Sequence, residues 1–150
     1  MKQIKRTTDP SLLFIKDKIL GKNQVKMLNG LGFSETGARR LCFHSSNESL
    51  LHVMAVQTRD GEVFPRHAHL DSDELIVVIQ GTLRIRIWLN EDDEEPVAYF
   101  LGTDLNKCDC AAICIPRWSF HDTMAAEPDT VYLESKLGPF KPESTLRKTL

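Results

Sequence analysis

His67-Ala68-His69, with Glu74 after four further residues, is the stretch of this chain best suited to chemistry. In an extended strand, side chains alternate between faces, so residues two apart project together. His67 and His69 therefore offer two ring nitrogens from one face, within reach of a single cation. A turn through Leu70 to Asp73 brings Glu74 round as a third ligand. Two imidazoles and a carboxylate suit one borderline divalent metal: zinc, iron, manganese or nickel. Histidine ligates only when neutral, so occupancy is expected to fall in acid.

Tyr132, Glu134 and Lys136 form a second group, sharing one face of a strand. Inside a cavity, a phenol, a carboxylate and an ammonium suit a polyol or an anionic sugar derivative. On an outward face they are simply solvated, and alternation alone favours that outward reading. Cys108, Cys110 and Cys114 lack the usual two-residue spacing of a zinc knuckle and are read as free thiols. Trp118 is either a sugar-stacking platform or, more commonly for an aromatic in such a place, packing at a barrel mouth. The acidic run Glu91 to Glu95 is read as a solvated loop rather than a cation site.

These residues must be positioned by strands. Arg40 to His44, Leu50 to Thr58, Glu74 to Gln80 and Leu83 to Ile87 alternate or run β-branched. Gly81-Thr82 turns the third of these into the fourth, and Arg84 and Arg86 are placed on the exterior face, opposite Leu83, Ile85 and Ile87. Further strands are expected at Val97 to Leu101, Ala111 to Ile115, Ser119 to Met124 and Thr130 to Leu137. Many short strands between turn residues imply a sandwich or barrel. Ahead of them, Asp9 and Pro10 resemble a helix start, Leu12, Ile15 and Ile19 recur at helical spacing, and Gly21 suits a C-cap. A helical segment over 1–38, packed on a barrel domain over 39–150, is the expected organisation. Lys22 to Gly37 carries little signal.

The totals exclude some classes of function. Nineteen Lys and Arg against 21 Asp and Glu leave no broad basic field for nucleic acid or a membrane surface. No apolar run is long enough to span a bilayer. The opening MKQIKRTTDP lacks the apolar core of a secretory signal, so a cytoplasmic protein with four reduced cysteines is expected.

The spacing Gly61-x5-His67-x-His69-x4-Glu74-x6-Gly81 resembles the first cupin motif at every fixed position. The second motif is degenerate. Pro116 and His121 stand at the expected separation, whereas Cys110, Trp118 and Ala125 replace two glycines and an asparagine. The resemblance implies an all-β cupin jelly-roll β-barrel with a short N-terminal α-helix, and it makes His121 the fourth metal ligand. From Arg39 to Pro142, the chain is similar to the WbuC family of cupin-fold metalloproteins. The acidic-Pro stretch before Tyr132, the strand carrying Glu134, the Gly-Pro-aromatic turn, and Arg40 with His44 carry that similarity. It places Tyr132, Glu134 and Lys136 inside the barrel. Arg40, Lys136 and Tyr132 would bind substrate, and Glu134 and His44 would move protons. It also implies a carbohydrate substrate in surface polysaccharide (O-antigen) biosynthesis; a homodimer is the expected assembly. The chemistry would be isomerisation or epimerisation. A non-catalytic sugar-binding or regulatory cupin and an iron-dependent dioxygenase are the alternatives.

Overall fold

The structure, a computed structural model, describes residues 5–6, 8–16, 18–90 and 92–148. Its strands are β1 (Lys5–Arg6), β2 (Leu12–Phe14), β3 (Ala38–Cys42), β4 (Leu51–Thr58), β5 (Val63–His69), β6 (Glu74–Gln80), β7 (Thr82–Trp88), β8 (Val97–Gly102), β9 (Ala112–Ile115), β10 (Phe120–Ala125), β11 (Val131–Leu137) and β12 (Thr145–Arg147), with one helix, α1 (Lys22–Asn29), between β2 and β3. They form a seven-stranded sheet in the order β1-β2-β3-β4-β11-β6-β9 and a five-stranded sheet in the order β12-β5-β10-β7-β8. Only the β2–β3 pair is parallel among the described strands. Two such sheets packed face to face, with sequence neighbours crossing between them, make a jelly roll. Among the described residues, no helix is long and apolar enough to cross a membrane.

The period-two pattern decides which side chains enter. Met54, Val56, Ile76 and Val78 from the larger sheet meet Leu83, Ile85, Ile87 and Leu101 from the smaller one. A second cluster lies outside the larger sheet, where Leu13, Ile15, Leu41, Ala55 and Val131 pack under Leu28 of α1. Eight residues are too few for a helix that is stable in water alone. Full burial of Leu28 contributes about 2 kcal/mol of the docking that holds α1 in place.

The helix expected over residues 9–21 is corrected in position. Residues 12–14 are a strand, and Gly21 precedes the helix rather than ending it. Asp9 does cap, but it caps a turn: its Oδ1 accepts from Ser11 N (2.8 Å) and Ser11 Oγ (2.6 Å). The physical reason is that β2 is sandwiched. Leu12 and Phe14 pack on the inner core, while Leu13 and Ile15 belong to the outer cluster. A strand buried on both faces reads as an unbroken apolar run, which periodicity cannot tell from a short helix. α1 escapes notice because no side chain of the usual capping types precedes it. Instead Gly21 N donates to Gln24 Oε1 (3.0 Å).

Candidate metal centre

Three strands deliver the four ligand candidates. β5 carries His67 and His69, β10 carries His121, and β6 begins at Glu74. His121 pairs directly opposite His67, and their ring centroids lie 4.3 Å apart. Glu74 comes from the facing sheet, so the cluster bridges the two layers. The turn between His69 and Glu74 is locked to the loop before β10. Asp73 Oδ1 accepts from Arg117 N (2.9 Å), and Trp118 N donates to His69 O (2.7 Å).

The ligand atoms of His67, His69, Glu74 and His121 all lie within 4.8 Å of one another, and all four residues are buried. Ligands about 2.1 Å from one ion stand no more than ~4.2 Å apart, so a small closure completes the shell. The far ring nitrogens are already occupied. His67 Nδ1 meets Pro65 O at 2.8 Å, and His121 Nδ1 meets Ser119 O at 3.0 Å. His69 Nδ1 meets Thr145 Oγ1 at 3.3 Å. Anchors of this kind turn the Nε2 atoms towards the centre and fix the rings, as outer partners of a metal site do. By donor type, spacing and anchoring, these residues fit a divalent ion.

Electrostatics follow from the same contacts. Glu74 Oε2 lies 2.9 Å from His121 Nε2, and Oε1 lies 3.1 Å from His69 Nε2. Burial works against the carboxylate, but these hydrogen bonds outweigh it and hold Glu74 well below the usual range. Burial likewise opposes charge on His121, yet its bond to Glu74 raises it overall. His67, buried and beside His121, is pushed down to about 3 and stays neutral, as a ligand must be.

The wall beside the cluster belongs to the larger sheet. Lys136 pairs with Glu74 on one side and His52 on the other, Glu134 with Ile76 and Met54, and Tyr132 with Val78 and Val56. Arg40 continues the Tyr132 row, opposite Val56. A cavity of about 470 Å³ is lined by the four cluster residues together with Arg40, His44, Tyr132, Glu134 and Lys136. The uncharged inner rows thus end at a polar pole, and residues from both halves of the chain converge there. Glu134 is raised by burial and by the nearby Glu74 charge, which Arg40 and Lys136 partly offset. Tyr132 is raised by burial and by Glu134. Burial and the neighbouring His52 push His44 down to about 4.

Sequence reasoning missed His52, Thr145 and Arg147, which also line the cavity. His52 stacks on His44 with ring centroids 3.9 Å apart. It alternates in phase with Met54 and Val56, a signal that would have found it once their face was known to be inward. β12 is three residues long, and nothing in its sequence announces a strand.

The remaining candidates lie elsewhere. Arg84 and Arg86 are on the outer face, where Arg86 forks onto the buried carboxylate of Asp122 (Nε to Oδ1, 2.9 Å). All four cysteines are unbridged: Cys42 is buried, its thiol pushed up to about 12 by that burial, and Cys114 is exposed. Among the described residues, the cysteines form no metal-ligating group. Of the acidic run, Glu91 lies outside the described residues, and Asp93 closes a turn onto Asn90 N (2.8 Å).

No known protein-family profile matches the sequence, and no curated protein does. Solved structures do match. Protein SO0799 from Shewanella oneidensis superposes with a TM-score of 0.66 at 16% identity, over 87% of this chain and 86% of that one. KdgF from Halomonas sp. gives 0.53 at 20% identity, over 75% and 89%. The capsular polysaccharide assembling protein CapF from Staphylococcus aureus gives 0.55 at 17% identity, over 77% of this chain but 32% of CapF. The fold is that of the cupins.

Two positions of the cupin motifs show why glycine is asked for. Gly81 sits at φ 76°, and a Cβ there would stand 2.5 Å from Thr130 Oγ1 and 3.0 Å from Thr130 Cα, so the tight β6–β7 turn excludes any side chain. Trp118 stands at the second cupin glycine position and keeps the glycine conformation, with φ 71°. It is also 63% exposed.

Proposed function

We propose that this protein is a metal-dependent cupin enzyme acting on a sugar or nucleotide sugar, by isomerisation or epimerisation-type proton transfer, in surface polysaccharide (O-antigen) biosynthesis. The observation that carries the reading is the second polar wall. Arg40, His44, Tyr132, Glu134 and Lys136 share one cavity with His67, His69, Glu74 and His121. A site that only stored an ion would need none of the first five. The size of the cavity, about 470 Å³, suits a ligand larger than a single small anion.

A bound divalent ion supplies Lewis acidity to a carbonyl or hydroxyl oxygen. The chain's own residues do the rest. Glu134, buried and raised in affinity for its proton, is the group placed to hold or pass a proton at the substrate. His44, kept neutral by burial, is the second proton carrier. Arg40 and Lys136 bind the anionic part of the substrate and partner Glu134 in its absence, since unpaired buried charge is costly. The Tyr132 hydroxyl orients a sugar hydroxyl. The similarity to the WbuC family, and the shared fold of CapF, a capsular polysaccharide assembling protein, support a carbohydrate substrate.

The test is turnover of a panel of nucleotide sugars and free sugars, with iron, manganese, nickel and zinc each supplied. Isomerised or epimerised product with the wild type, lost in Glu134→Gln, is expected. Saturable sugar binding without turnover would make the protein a sugar-binding or regulatory cupin. Turnover that consumes dioxygen, and only with iron, would make it a dioxygenase.

A further inference from the structure

Each histidine of the cluster needs a partner on its Nδ1 if its Nε2 is to face the centre. His67 and His121 find theirs within their own strand segment: each meets the backbone carbonyl two residues earlier, Pro65 O and Ser119 O. A carbonyl only accepts, so it holds the ring in the Nδ1–H form. His69 differs. Its Nδ1 faces the hydroxyl of Thr145, 76 residues away on β12.

The placement of that hydroxyl follows from the strand pairing. β12 pairs antiparallel with β5, with Thr145 opposite His69, Leu146 opposite Ala68 and Arg147 opposite His67. Cross-strand partners share a face, so Thr145 points inward beside His69 and Leu146 points out, 42% exposed. Two backbone bonds close the ends of the pairing, Leu70 N to Ser144 O (2.8 Å) and Lys148 N to Arg66 O (3.1 Å). Pro142, at the head of the short 3-10 turn Pro142–Ser144, feeds the chain into this register.

We infer that β12 is an element of the metal centre and that Thr145 is the positioning residue for His69. This inference rests on the metal reading of the cluster. The chemistry favours a hydroxyl here because it both donates and accepts. His69 Nε2 lies 3.1 Å from Glu74 Oε1, a contact that needs a proton on Nε2 and leaves Nδ1 to accept from Thr145. When Nε2 ligates an ion, the proton sits on Nδ1, and the Thr145 oxygen accepts it. The hydroxyl turns, and the ring need not. Valine, isosteric with threonine, fills the same space and does neither, leaving a buried ring N–H without a partner in the metal-bound form.

The experiment compares Thr145→Val and Thr145→Ser with the wild type. Metal affinity is read by chelator competition, and the His69 tautomer by nitrogen NMR shifts with and without metal. Melting in chelator serves as the control for folding. Loss of an outer partner typically weakens metal binding 10–100-fold. Thr145→Val is expected to fall by about that factor, with its melting temperature in chelator kept, while Thr145→Ser retains wild-type affinity. In the wild type, the His69 proton is expected to move from Nε2 to Nδ1 on metal addition. Equal affinity in Thr145→Val, or a serine variant as weak as the valine one, would overturn the role. If the wild type binds no metal, the metal reading fails by itself. The metal-free spectrum then still judges the contact: Glu74 keeps the proton on Nε2 in both proteins, but Nδ1 loses its donor in Thr145→Val, so an unchanged Nδ1 nitrogen shift between the two would overturn it.

Discussion

Glu74→Gln is the most informative single change at the cluster, because it removes a charge and almost nothing else. Glu74 is 2% exposed, and each of its oxygens is bonded to a different histidine, His69 Nε2 at 3.1 Å and His121 Nε2 at 2.9 Å. Without metal, glutamine can keep both contacts. Its carbonyl accepts from His69, and its amide donates to a neutral His121, whose Nδ1 remains on Ser119 O. The loss is the difference between two charge-assisted and two neutral hydrogen bonds, about 1 kcal/mol each. The carboxylate's burial penalty offsets part of that. Metal-free Glu74→Gln should therefore melt no more than about 6 °C below wild type, at ~3 °C per kcal/mol for a chain of this size. The metal response should change far more. An ion at a hundred times its Kd stabilises the fold by about 2.7 kcal/mol, or ~8 °C. That rise should be present in the wild type and absent from the variant, because a neutral amide replaces the only anionic ligand. Differential scanning in chelator and in excess manganese, iron, nickel or zinc reads both numbers. A metal-dependent rise that survives in Glu74→Gln would refute the ligand role of this carboxylate.

Lys136→Met should weaken binding of an anionic sugar at least severalfold by calorimetry, while metal content by elemental analysis stays near one per chain; loss of metal as well would mean that Lys136 supports Glu74 rather than the substrate. The Cys108→Ser/Cys110→Ser double variant should keep its full metal complement, since those thiols lie outside the cluster. His44 is neutral in the fold and its value is depressed to about 4, so unfolded chains bind the extra proton between pH 6.5 and 4. Its contribution to stability is therefore complete above pH 6.5 and lost as pH falls towards 4, and His44→Phe should flatten the melting-temperature profile across that window. Trp118→Gly should leave stability unchanged or raise it by about 1 kcal/mol. Relief of the left-handed conformation, worth ~1–2 kcal/mol, outweighs the added freedom of the unfolded chain, and an exposed ring loses little packing. A fall of several degrees would show that the indole is held by contacts that matter.

What the sequence could show by itself was set by short-range rules. His67 and His69 share a face because strands alternate, and the glycine spacing around them marks the same turn at Gly81 that the structure closes against Thr130. β7 is legible for the same reason: Leu83, Ile85 and Ile87 are buried on one face and Arg84 and Arg86 lie on the other, so the pattern has period two. The tertiary structure decided what that pattern left open. Tyr132, Glu134 and Lys136 were on one face from the start, but only the pairing of β11 between β4 and β6 turned that face towards Glu74. β2 reads as part of a helix because it is buried on both sides and its pattern has no polar phase. α1 escapes notice because its N-cap is a glycine with no side chain to signal it and because it is held mainly by docking of Leu28. Thr145 was beyond reach, since its meaning lies in a pairing with His69 across 76 residues that no local signal encodes. Spacing along the chain reports which residues share a face; which face is inside, and what waits there, is settled by long-range pairing.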